Sequence, residues 1–248
     1  MGSVDHRRAA AIHDPPHIIA QRNKLQSDFF NPPDFGLSVL GNADGFTADG
    51  TTAGFCLWMR GRGILVDPPA HSAQYLRQGG IASRKVTHVI LTHCHADHDA
   101  GTFQKILLED RVIVVTTKTI MASFIRKYAM VTGVPEEYLR RLFIFMEVKI
   151  AEPMRIQGGS IKFFYALHAL PCIGFRAELE GKSIVYSSDT LYDPEALLKL
   201  QSRGVISEAR RKSLLEECSV QPADILLHEA GVPPIHTPLE VLKNLPCV

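Results

Sequence analysis

The 248 residues are 46% hydrophobic and 21% charged, with a mean hydropathy of +0.03, a balance that lets one chain bury a substantial core. A formal net charge of +1 excludes a global electrostatic pull towards nucleic acid or a membrane surface. Five cysteines (Cys56, Cys94, Cys172, Cys218 and Cys247) form no C-x-x-C pair and are odd in number, which argues against a disulfide framework and for a reducing, cytoplasmic compartment.

In chain order, residues 1–35 are rich in Pro, Asp and Asn and read as an N-terminal arm, with a short helical stretch at 18–27. Alternating apolar residues at 36–40 and 54–59, a turn at Arg60-Gly61-Arg62-Gly63 and the run Ile64-Leu65-Val66 predict a strand and hairpin series ending at Asp67. A helix over 72–78 stops at Gly79-Gly80, and a β-branched strand follows at 86–92. Next come a helix at 100–108, a strand at 112–115, and two amphipathic helices at 120–131 and 135–145. Hairpin-like strands return at 154–156, 161–166, 174–179 and 183–187, then helices at 194–203 and 207–217 and a strand at 224–228. A last helix starts at Pro238, with Thr237 placed as its N-cap. The basic clusters Arg140-Arg141 and Arg210-Arg211-Lys212 read as solvated helix faces. No run reaches the ~18 apolar residues that span a bilayer, so no membrane partner is expected. Two batches of strands, each trailed by helices, imply two facing sheets with helices outside, in one domain over 36–248.

The chemistry concentrates in Thr92-His93-Cys94-His95-Ala96-Asp97-His98-Asp99-Ala100-Gly101, between an apolar strand and a helix. Residues two apart on extended backbone point the same way, so His93 and His95 can face one ion together. The turn into the helix then carries Asp97 and His98 to a neighbouring position. Imidazole and carboxylate suit Zn²⁺, with Mn²⁺ or Fe as alternatives, in a site of one or two ions. Cys94 points the other way on this geometry and reads as a small buried hydrophobe.

This stretch is similar to the H-x-H-x-D-H signature of metallo-β-lactamase-fold metallohydrolases. The resemblance runs from about Leu37 to the C-terminus and implies an α/β, four-layer αβ/βα sandwich with metals at the sheet edge. By its order, His168, 75 residues after His93, looks like the third histidine of the first site. Asp189, a further 21 residues on, looks like the aspartate shared by both metals. Asp67 looks like an acid that orients a ligand imidazole. His6, His13, His17, His71 and His88 match nothing and read as structural or solvated.

Details resemble the ribonuclease Z-like, phosphodiesterase branch: Gly174-Phe175 after His168, Tyr186-Ser187-Ser188-Asp189-Thr190, His228-Glu229-Ala230 and His236-Thr237. That branch carries one more strand with a last histidine, whereas this chain ends twelve residues after His236. Either that final strand and ligand are missing, or His236 itself takes the ligand role. The 21 residues between His168 and Asp189 leave no room for a tRNA-clamping arm, so tRNA is not an expected partner. The resemblance implies a metal-dependent hydrolase that attacks a small phosphodiester with a metal-bound hydroxide. In it Asp97 orients the nucleophile, while His236 with Glu229 protonates the leaving oxygen. The alternatives are a thioester, lactone or other ester substrate, or a metal-binding scaffold or sensor with impaired catalysis. A homodimer is the assembly the reading admits.

Overall fold

The run Gly54–Met59 is buried at every position, which an extended segment achieves only when both faces of its sheet are covered. A computed structural model of the protein describes residues 30–219 and 223–243 and shows how that happens. The expected helix at 18–27 and nearly all of the expected arm lie outside the described residues. One sheet takes β1 (Phe35–Gly41), β2 (Gly54–Met59), β3 (Arg62–Val66), β4 (His88–Ile90), β5 (Ile113–Thr116) and β6 (Ile144–Glu147) in chain order. Its first three strands are antiparallel neighbours, and β3 to β6 pair in parallel. The other sheet contains β7 (Pro153–Ile156), β8 (Gly159–Ala166), β9 (Cys172–Leu179), β10 (Lys182–Tyr186) and β11 (Ile225–Leu227), in the order β11-β10-β9-β8-β7. Only its β10–β11 pair is parallel.

The sheets face one another through a shared apolar core. Phe55 of β2 meets Tyr186 of β10 edge-on at 5.0 Å between ring centres, and Phe175 of β9 lies 5.8 Å from the same tyrosine. Such aromatic pairs contribute about 0.5–1.5 kcal/mol each beyond the area they bury. Outside the first sheet pack α1 (Ser72–Gln78), α2 (Ala96–Leu108) and α3 (Lys118–Thr132), the last two joined by Phe103 stacked on Tyr128 at 3.8 Å. Outside the second lie α5 (Pro194–Ser202) and α6 (Glu208–Ser219), with Arg210 over the Tyr165 ring of β8. The layers are therefore helix, sheet, sheet, helix, as expected. Local chemistry explains the ends: Asp193 accepts from the amides of Glu195 and Ala196 to cap α5, and Thr117 caps α3. The two-residue hairpins Arg60-Gly61, Gln157-Gly158 and Glu180-Gly181 take left-handed backbone at both positions, which matches the twist of the strands.

Three expectations need correcting. The helix over 135–145 shrinks to a single turn, α4 (Glu136–Leu139), and Ile144–Glu147 becomes β6. There the Ile144 amide bonds the Val112 carbonyl, so pairing with β5 overrides the helical pattern. Thr237 does not cap the last helix, α7 (Leu239–Leu242), whose N-cap is Pro238. Its hydroxyl donates to the Thr190 carbonyl and accepts from the Tyr192 amide instead. Arg210 and Arg211 are not simply solvated, since Arg210 lies on Tyr165 and Arg211 bonds Gln201.

Candidate metal centre

The chain leaves β4 at Ile90, stays extended to His95 and enters α2 at Ala96. His93 and His95 therefore sit on the extended segment, and Asp97 and His98 on the first helical turn. His168 comes from the loop after β8 and Asp189 from the loop after β10, so both sheets contribute. The structure brings His93, His95, His168 and Asp189 together, one donor atom of each lying within 4.8 Å of the others.

The hydrogen-bond pattern decides which atoms face inward. His95 Nδ1 lies 3.1 Å from His93 Nε2 and 3.0 Å from His168 Nε2. The outer nitrogens of His93 and His168 are engaged elsewhere, by the Thr92 hydroxyl at 3.0 Å and the Ile235 carbonyl at 3.2 Å. That arrangement places the proton on Nδ1 and leaves the Nε2 lone pair pointing at the common centre. Three converging imidazole nitrogens cannot all satisfy one another with hydrogen bonds. They fit a divalent cation as shared acceptor. Burial, followed by the neighbouring imidazoles His98, His168 and His95, holds His93 well below the ordinary histidine range, which keeps it neutral and available as a ligand.

Asp189 joins this group to a second one. Its Oδ2 lies 3.7 Å from the Nε2 atoms of both His93 and His168, while its Oδ1 lies 3.5 Å from His98 Nε2. Asp97 Oδ2 is also 3.5 Å from His98 Nε2. The other nitrogen of His98 meets Asp67 Oδ2 at 3.1 Å. Burial opposes the charged form of His98, but the Asp67 hydrogen bond and the charges of Asp67, Asp189 and Asp97 raise its pKa to about 9. Gly45 of the β1–β2 loop lies against Asp97, where an added Cβ would come within 2.8 Å of the carboxylate.

His236 stands beside this centre, its ring 5.2 Å from that of His168. Glu229 Oε2 holds its Nδ1 at 3.0 Å, and the Thr237 amide donates to Glu229 Oε1 at 2.8 Å. Burial raises the Glu229 carboxyl, with the Thr237 amide and the His236 imidazole opposing. Cys94 behaves as a packed thiol: it donates to the Ile120 carbonyl, away from the centre, and burial pushes it up to about 12.

A family model described as "Anti-Pycsar protein Apyc1" matches residues 35–247. The chain belongs to that family. Two relatives from Dictyostelium discoideum are similar over 88% of this Apyc1-family chain. They are "cGMP-dependent 3',5'-cGMP phosphodiesterase A", 49% identical over 217 residues, and "cAMP/cGMP-dependent 3',5'-cAMP/cGMP phosphodiesterase B", 42% identical over 219. The chain spans only 25% and 20% of their lengths. The metallo-β-lactamase fold protein YhfI from Bacillus subtilis superimposes with a TM-score of 0.56 at 19% identity, covering 79% of this chain and 70% of that one. The Apyc1-family chain thus has the metallo-β-lactamase fold.

Several supporting contacts join residues whose roles the sequence motifs do not reveal. Thr92 donates from its hydroxyl to Asp67 Oδ2 and accepts from Ser188, which ties β3, β4 and β10 together behind the histidines. Asp67 and Ser188 both have left-handed backbone, an uncommon state for such residues that this network holds in place. Lys127 Nζ donates to both oxygens of fully buried Asp99, at 2.8 and 2.6 Å, and to the Cys94 carbonyl at 3.0 Å. The Tyr128 hydroxyl donates to the same aspartate. This clamp grips the backbone between His93 and His95.

Proposed function

We propose that the chain hydrolyses a small phosphodiester, the 3′,5′-cyclic phosphate of a nucleoside, at a centre of one or two divalent ions, with Zn²⁺ the first choice and Mn²⁺ or Fe as alternatives. The observation that carries this is the two-sided placement of Asp189, one oxygen towards His93 and His168 and the other towards His98. The substrate class is supported by the names of the two Dictyostelium relatives. His93, His95, His168 and Asp189 would hold the first ion, and Asp97, His98 and Asp189 the second. Bound there, the metal supplies Lewis acidity towards the phosphoryl oxygens and lowers the pKa of water towards ~7. Asp97 accepts a hydrogen bond from the attacking water and orients it. His236, oriented by Glu229, gives its proton to the leaving 3′ oxygen, and the product is a nucleoside 5′-monophosphate. Asp67 fixes the His98 imidazole from behind. Among the described residues no helix is long and apolar enough to cross a membrane. The free thiols Cys56, Cys94 and Cys172 fit a cytoplasmic setting, and tRNA is not the substrate we favour.

The test is turnover of cyclic GMP and cyclic AMP by the full chain supplied with Zn²⁺ or Mn²⁺, followed as 5′-monophosphate release. Replacing His236→Ala should lower kcat by roughly 10²–10⁴-fold with metal content unchanged. Hydrolysis of thioesters or lactones with no phosphodiester turnover would overturn the substrate class. A metal-binding scaffold or sensor is the second reading, favoured by the three donors that the described residues offer around His98. One ion per chain without hydrolysis of any ester would select it.

A further inference from the structure

At the opposite end of the sandwich from the metal centre, the β2–β3 hairpin and the turn before β4 border an open surface hollow of about 530 Å³ lined by Gly61 and the exposed side chains of Arg60, Arg62, Arg84 and Lys85. Its place follows from strand direction. Arg62 begins β3 and Asp67 follows its end, so five residues of extended chain, about 16 Å, separate the two sites. All four charged residues that line it are cationic. Arg60 pairs with Glu180 at 2.9 Å, but both side chains are more than half exposed, so that pair contributes little. Arg62, Arg84 and Lys85 have no ion pair among the described residues. Four like charges around one hollow repel each other, and they focus a positive potential where low-dielectric protein forms the floor. Behind Arg62, burial and then the arginine's own charge hold the His88 imidazole below its usual range, in contact with Thr87 and Gln157.

We propose that this concavity is a second, non-catalytic site for a diphosphate group, either free or as the tail of a nucleotide. Three unpaired cations match the roughly threefold negative charge of a diphosphate. Guanidinium forks suit two phosphoryl oxygens each. The claim is separate from the proposed hydrolysis, because its readout is binding without turnover.

Calorimetric titration of the full chain with inorganic pyrophosphate, and separately with a nucleoside 5′-diphosphate, tests it. Both runs use chelator-treated protein and are repeated in the His95→Ala variant, so that capture by the metal centre is visible. Saturable binding that weakens with added salt and is the same in His95→Ala is the expected result. Arg84→Ala/Lys85→Ala should weaken it by about tenfold or more, and Arg84→Lys/Lys85→Arg should largely restore it. Tighter binding of the nucleotide assigns the source to a nucleotide, and equal binding assigns it to the phosphates alone. Absence of saturable binding to the wild-type chain overturns the proposal. So does binding that survives Arg84→Ala/Lys85→Ala and disappears in His95→Ala.

Discussion

The histidine-rich half of the candidate centre draws His93 and His95 from one sheet edge and His168 and Asp189 from the other, whereas the half around His98 takes Asp97 and His98 from one helical turn. Their outer partners differ as well. Neutral acceptors, the Thr92 hydroxyl and the Ile235 carbonyl, orient the first group, while the carboxylate of Asp67 orients His98. The first half is thus nearly all imidazole and suits Zn²⁺, and the second is more anionic and suits a harder cation such as Mn²⁺. Both halves need the closed sandwich, because Asp189 comes from the second sheet in each; the first also draws His168 from there, while the other side chains of the second come from a single turn of α2.

Because Asp189 reaches His93 and His168 with one oxygen and His98 with the other, Asp189→Ala should have the largest effect. We expect loss of both ions and of turnover, read by elemental analysis of the purified protein alongside the activity assay. Retention of one tightly held ion would show the halves to be independent. A smaller and one-sided effect is expected from Asp67→Asn, which removes the charge behind His98. Affinity at the second half should fall by about 10–100-fold while the first keeps its ion, a difference that competitive metal titration resolves. Equal losses at both halves would break the comparison. The smallest change in metal affinity, a few-fold and alike in both halves, is expected from Lys127→Met, because its clamp holds backbone that serves both. Its stability cost is larger. Leaving fully buried Asp99 without its cation costs about 3–5 kcal/mol, and Asp99→Asn in the same chain should recover much of the lost melting temperature.

Much of the candidate site was legible in the sequence because its spacing encodes its geometry. Histidines two apart on extended backbone share a face, and a helix start rotates the next two candidate ligands aside, so His93, His95, Asp97 and His98 declare themselves together. His168 and Asp189 could be found only through family order, since a lone strand-end histidine or aspartate carries no signal of its own. Cys94 was also readable, as the residue of opposite parity between two candidate ligands. Thr92 and Ser188 lie within the family-like stretches and Lys127 in none, but the roles of all three depend on partners 25, 96 and 28 residues away.

The amino-acid sequence alone pointed to facing sheets with helices outside and to the metal-capable run at 93–98, because these rest on short-range periodicity and side-chain type; the hydrolytic chemistry came only from the resemblance of that run to a known family. Tertiary structure decided the rest. It turned 144–147 into an edge strand where the local pattern carried a helix to 145, because the register with β5 comes from a partner strand that the local pattern does not contain. It took Thr237 from its expected cap to bridge Thr190 and Tyr192 beside His236. It also set the two faces of Asp189, since which carboxylate oxygen meets which imidazole depends on how the two sheets close on each other.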